Sequence, residues 1–105
     1  MRVRVLNKPW SIALAPYVGG ARTPRHPKGD MGSCSDPEHA PRRIKVRSDL
    51  RGKRLLDTLI HELTHAANFH VSEEFVSEFA SDVAHVLTRK ELWPLIAEGI
   101  ERDLH

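Results

Sequence analysis

Residues 55–66 read LLDTLIHELTHA. Apolar residues recur here at helical spacing. Leu56, Ile60, Leu63 and Ala67 make one stripe, with Leu59 and Ala66 beside it. That is the pattern of an amphipathic helix laid on a core, expected from about residue 52 to residue 68. Asn68 is a suitable stop, because asparagine tolerates the left-handed conformation. His61 and His65 are four residues apart, so on a helix they project from one face, a turn apart. Glu62 lies next to them, about 100° round the axis. All three fall beside the apolar stripe, together with Thr58, and are expected to face a cleft rather than the centre of the core.

Working outward, Ser72 is a natural N-cap for a second helix, with Glu73 and Glu74 in its favourable first turn. Val76, Phe79, Ala80, Val83 and Leu87 would form its apolar face, with Phe75 alongside, and it should end near Arg89 and Lys90. The segment ELWPLIAEGIERDLH, residues 91–105, suggests a short final helix. Pro94 is tolerated in its first turn, and Ile96 and Ile100 would face inward. Toward the N-terminus, RVRVL (residues 2–6) and WSIALAP (10–16) read as two strands of a hairpin, with NKP as the turn. Residues 17–43 lose all periodicity under repeated Pro and Gly, with a short strand near MGSC. A loop this long is unusual and commonly functional. RRIKVRS, 42–48, is a further strand. The expected fold is α+β in one domain, 1–105. Residues 1–50 are β-rich and 51–105 helical, with three or four antiparallel strands covered on one face by two long helices and a short one.

Composition is that of an ordinary globular chain, with 40% hydrophobic and 29% charged residues. No apolar run approaches the ~18–20 residues that span a bilayer, and the N-terminus lacks the apolar block of a secretory signal. A cytoplasmic protein without membrane contact is expected. Cys34 is the single cysteine, which fits a reducing compartment. The net charge of +2 hides a polarity. Residues 1–54 hold 13 Lys and Arg against 4 Asp and Glu, and residues 55–105 hold 3 against 10. A basic surface for nucleic acid is one reading. Mutual neutralisation of two packed halves is the favoured one, since no aromatics interleave the basic residues as in a base-stacking surface.

The HELTH spacing suits zinc. Two neutral imidazoles bind the cation, and the adjacent carboxylate is near enough to act as a base without being a ligand. Zinc lowers the pKa of water to about 7, making a nucleophile available at neutral pH. Catalytic zinc usually takes three protein ligands. The candidates for the third are His70, five residues after His65, and the stripe Glu74, Glu78, Asp82 with His85 nearly in line. After so short a turn, the first turn of the second helix reaches best. Glu74 is therefore expected ahead of Glu78, leaving Glu78 or Asp82 to orient a ligating histidine from outside. Glu73, Glu91, Glu98 and Glu101 read as an ordinary solvated face.

At these residues the chain resembles the HExxH metallopeptidases, the zincins, in their variety with a glutamate ligand. It is most similar to small SprT-like and phage-encoded members. The likeness runs through Gly32 to Pro41, Ile44 to Arg47, Leu55 to Ala66 and Ser72 to Leu87. It implies zinc on His61 and His65 and Glu62 as general base, and its paired glutamates tilt the third ligand to Glu74. His70 resembles the third histidine of metzincin-type sites, but Asn68 stands where those have glycine and His70 comes one residue early. A lone Cys34 excludes the zinc ribbon of the better-known SprT-type proteases. By the same resemblance RRIKVRS would edge the cleft and bind peptide by strand addition.

The leading expectation is a zinc-dependent peptidase acting on a peptide or protein substrate, with one zinc per chain. The alternatives are a metal-stabilised binding module, contacting protein or nucleic acid through the basic half, and a metal-free interaction domain. Tyr17, His39, His70 and His85 are the candidate donors to the transition state. Cys34, Trp10 and Trp93 are read as packing residues.

Overall fold

A computed structural model describes residues 1–104. Strands β1 (Arg2–Val5) and β2 (Lys8–Ala15) form the expected hairpin, pairing antiparallel from Arg2 opposite Ser11 to Val5 opposite Lys8. Their turn is Leu6–Asn7, with φ of 47° and 66°. Positive φ at both central residues matches the twist of the flanking strands. Asparagine accepts that conformation, whereas leucine adopts it under strain.

The sheet is completed by β3 (Gly32–Cys34) and β4 (Arg43–Arg47), in the order β1-β2-β4-β3. Two expectations are corrected here. The sheet is mixed rather than wholly antiparallel, because β4 runs parallel to β2, from Ser11 opposite Arg43 to Ala15 opposite Arg47. Parallel neighbours need a long crossover, and the aperiodic segment between β2 and β4 supplies it. The second correction concerns β4, which lies between β2 and β3 and is not an edge. The short β3, antiparallel to β4, takes that place.

Arg47 ties the crossover down. It is buried, its Nε donates to Asp49 Oδ1 at 2.6 Å, and its Nη1 donates to the Gly29 carbonyl at 3.0 Å. The Arg47 bond holds the Asp49 carboxyl below its ordinary value. Asp30, next in the chain, donates its N–H to the Gly19 carbonyl at 2.9 Å.

The inner face of the sheet contributes Trp10, Ile12, Ile44 and Val46 to the core, all buried with Leu50, Leu55, Leu59 and Ala66. Each buried Leu, Ile or Val among them stabilises the fold by about 1.5–3 kcal/mol. Helix α1 (Gly52–Ala67) lies on that face and ends at Asn68 as expected, but Asn68 is extended, with φ of −147° and ψ of 95°, and not left-handed. Its buried residues are Leu55, Leu56, Thr58, Leu59, Glu62, His65 and Ala66. The core arc therefore lies about 100° from the stripe expected through Leu56, Ile60 and Ala67. Ala67 is exposed and Ile60 only half-buried. Glu62 sits within the inner arc because α1 is covered twice, by the sheet and by a second helix.

That helix is α2 (Glu73–Leu87), capped by Ser72, whose Oγ accepts the Phe75 N–H at 3.2 Å. It packs on α1 through Val76, Ala80 and Ala84. Two alanines among these three let the helix axes approach closely. The sequence places Phe79 on this face and Phe75 alongside it. They are instead exposed and stacked on each other, ring centroids 5.7 Å apart. Helix α3 (Trp93–Leu104) closes the chain, with Ile100 and Leu104 against the core. No helix among the described residues is long and apolar enough to cross a membrane.

The two oppositely charged halves do not neutralise each other by direct pairing. Among the described residues every Lys or Arg ion pair stays within its half: Lys8–Glu38, Lys28–Asp49, Arg47–Asp49 and Arg102–Asp103.

Candidate metal centre

The site is built where α1, the start of α2 and β3 meet. His61 and His65 lie one above the other on α1, with ring centroids 5.1 Å apart. The turn 68–72 brings the first residue of α2 against them. Glu73 Oε2 is 3.1 Å from His61 Nε2, and Glu73 Oε1 is 2.7 Å from His65 Nε2. Ligand atoms from the three side chains all lie within 4.8 Å of one another, a group able to hold a metal ion.

The geometry differs from the expectation by one residue. Glu73, read from sequence as solvated surface, joins the histidines, and Glu74 does not. One residue on a helix is a rotation of about 100°. Glu73 stands three residues before Val76 and seven before Ala80, in line with the face that packs on α1. Glu74 and Glu78 are turned from that face and exposed. Asp82 and His85 lie further along α2, also exposed, and His70 stays in the turn with its ring edge-on to Phe69 at 5.7 Å. The spacing Glu73-x-x-Val76-x-x-x-Ala80 could have given the register, had Phe75 and Phe79 not been counted into the packed face.

Two observations test whether these residues fit a cation. The first is chemical: two imidazole nitrogens and one carboxylate are the donor set of a catalytic zinc site. The second is His65 Nε2. This nitrogen is buried and makes no hydrogen bond of ordinary geometry, although the Glu73 Oε1 atom lies 2.7 Å from it. An unsatisfied buried polar atom costs about 1–3 kcal/mol. A shared cation would remove that penalty, and the residues therefore fit.

Glu62 points into the same space. It is 8% exposed, and its carboxyl is pushed up to about 7, first by burial and then by the charges of Glu73 and Asp30. Gly32 on β3 makes this approach possible. A Cβ there would fall 2.8 Å from Thr58 Cγ2 and 3.0 Å from Glu62 Cγ. The Thr58 hydroxyl donates to the Arg54 carbonyl at 2.8 Å. A cavity of about 580 Å³ opens beside the metal group, lined by Asp30, Met31, Gly32, Arg54, Asp57, Thr58 and Ser77 with His61, Glu62 and Glu73.

None of the four expected donors lines this cavity. Tyr17 donates its hydroxyl to the Gly20 carbonyl. His39 pairs with Asp36 at 3.8 Å. His70 borders a separate, smaller hollow, and His85 is near the far end of α2. Arg54 and Ser77, which no motif singled out, are further side-chain donors that line the cleft. Cys34 is not in the metal group. Burial, and then the Glu62 charge, push its thiol up to about 12, the behaviour of a packed thiol. Comparison with protein-family models, with curated proteins and with solved structures gave no match to this chain.

Proposed function

We propose that the chain is a zinc-dependent peptidase of the HExxH kind, in which His61, His65 and Glu73 hold the metal and Glu62 is the general base. The observation that carries the proposal is the convergence of the buried His65 nitrogen, a second imidazole and the Glu73 carboxylate, their ligand atoms all within 4.8 Å of one another. Zinc, when bound there, supplies a Lewis acid that polarises the substrate carbonyl and acidifies water. The chain's own part is proton handling and orientation. Glu62, held in the cleft with a carboxyl near neutrality, takes the proton of the attacking water on a carboxylate oxygen. It then gives that proton to the leaving amide nitrogen. Edge strand β3 flanks the cleft at Gly32. Its unpaired backbone edge can hold an extended peptide by strand addition, the role that the family resemblance implied for β4.

The test has two parts. Metal analysis of purified protein should find one zinc per chain, removed by His65→Ala. Glu62→Gln should keep the zinc and lose cleavage of an unstructured protein substrate by at least ~100-fold, the usual scale for a general base. Wild-type rates in Glu62→Gln would overturn the mechanism. Protein free of metal would leave an interaction domain in which Glu73 simply pairs with the two histidines.

A further inference from the structure

The helices cover one face of the sheet, and the other face carries a band of positive charge. Outward positions alternate with the buried ones. On β1 they are Arg2 and Arg4, and on β4 they are Arg43 and Lys45, all four exposed. Pairing register fixes their layout. Arg2 lies opposite Ser11, and Ser11 opposite Arg43, so these three form one row across β1, β2 and β4. Arg4, opposite Pro9, is one step toward one end of the sheet, and Lys45, opposite both Ala13 and Ser33, is one step toward the other. Steps of two residues are about 7 Å along a strand, and neighbouring strands are about 4.8 Å apart. The four cations thus form a diagonal band, with Arg2 and Arg43 about 10 Å apart at its centre.

No side chain among the described residues pairs with any of the four in an ion pair. The residues between them are small or flat: Pro9, Ser11, Ala13 and Ser33. Like charges gathered on one sheet face do not help folding. We infer that this face binds the phosphate backbone of nucleic acid, without reading base sequence. Charge complementarity favours that occupant. The band offers cations at regular steps and two serine hydroxyls for phosphate oxygens, and backbone contacts of this type supply sequence-independent affinity. It offers no aromatic on which a base could stack. The four band residues and the positions between them also present no large apolar side chain to enter a lipid surface. This inference stands independently of the peptidase proposal.

The test is fluorescence anisotropy of the whole chain with a labelled 20-base-pair duplex of arbitrary sequence, over a KCl series. Four phosphate contacts give a slope of log affinity against log salt near −3.6, or a loss of about 150-fold between 50 and 200 mM. Arg2→Gln with Arg43→Gln should lower the slope magnitude by about 1.8. Arg89→Gln with Lys90→Gln removes the same charge from exposed positions after α2 and should leave the slope unchanged. A second duplex of unrelated sequence should bind equally. Three results would overturn the inference: no binding at 50 mM salt, equal loss from both double variants, or binding to phosphatidylserine vesicles with none to DNA. Circular dichroism confirms that the variants are folded. Should they not be, Lys45→Gln alone, with an expected slope change of about 0.9, takes their place.

Discussion

Glu73→Gln and Glu74→Gln form a matched pair that separates the proposed metal ligand from its neighbour. Both glutamates sit in the first turn of α2, and both side chains are solvent-accessible. Each favours the helix dipole by about 0.3–1 kcal/mol. Glu73 also pairs with His61 and His65, worth at most about 1 kcal/mol at so exposed a carboxylate, so in metal-free protein the two variants should differ by no more than that. They part company when zinc is present. Structural zinc sites bind with roughly 10–16 kcal/mol, which shared over four positions is about 2.5–4 kcal/mol per ligand, or two to three decades in Kd. The Glu73 side chain is 73% exposed, and an open ligand of this kind belongs at the lower end, near 100-fold. Glu74→Gln should shift zinc affinity less than about threefold, the effect of a remote surface charge. Competition with a chromogenic chelator at neutral pH reads both values, and thermal denaturation of the metal-free proteins checks the matching. If Glu74→Gln loosens zinc as much as Glu73→Gln, the register of α2 is wrong. If neither does, the glutamate is not a ligand.

The remaining predictions concern the frame around the site. Leu6 is 73% exposed and holds φ at 47°, so Leu6→Asn gives up little burial and relieves strain of about 1–2 kcal/mol. The melting temperature should rise by roughly 5 °C, and no rise would mean that the turn has another form. Cys34, with its thiol pushed up to about 12, should resist an aromatic disulfide reagent at pH 7.5 until the protein is denatured, because the thiolate is the nucleophile. Labelling within seconds in native protein would refute that. Asp49 is held below its ordinary value of 3.8 by Arg47. A depressed carboxyl stabilises the fold above its unfolded pKa, and that stability is lost as pH falls through the folded value. The advantage of wild type over Asp49→Asn should thus be constant above about pH 5 and shrink below 3.8. Urea denaturation at several pH values measures it, and a gap independent of pH would exclude the Arg47 pairing.

Local rules made much of the fold readable. Alternation marked β1, β2 and β4, because each has one face on the core and one in solvent. The Asn68 stop and the Ser72 cap bounded the two long helices. Direction and order of strands were not readable. Whether β4 returns parallel or antiparallel to β2 depends on the path of residues 16–42, and that path is held by Arg47 reaching the Gly29 carbonyl, a contact that leaves no periodic trace. The rotation of α1 was hidden for a related reason. Leu56, Ile60 and Leu63 look like a core stripe when only apolar residues are counted. The true inner arc includes Thr58, Glu62 and His65, polar residues that the count excludes.

That exclusion also explains why the candidate site was half legible. His61 and His65 could be paired from spacing alone, since four residues are one turn of the same helix. The third position required knowing how α2 sits on α1. A helix turns its most closely packing face inward, and in α2 that face is the smallest one, Val76 with Ala80 and Ala84, rather than the most hydrophobic one with Phe75 and Phe79. Small side chains let the second helix come near enough for a short carboxylate at its first residue to span both imidazoles. Phenylalanines in the same place would hold the axes apart and put Glu73 out of reach. The distance between the helices, and with it the metal group, is set by two alanines that carry no chemistry of their own.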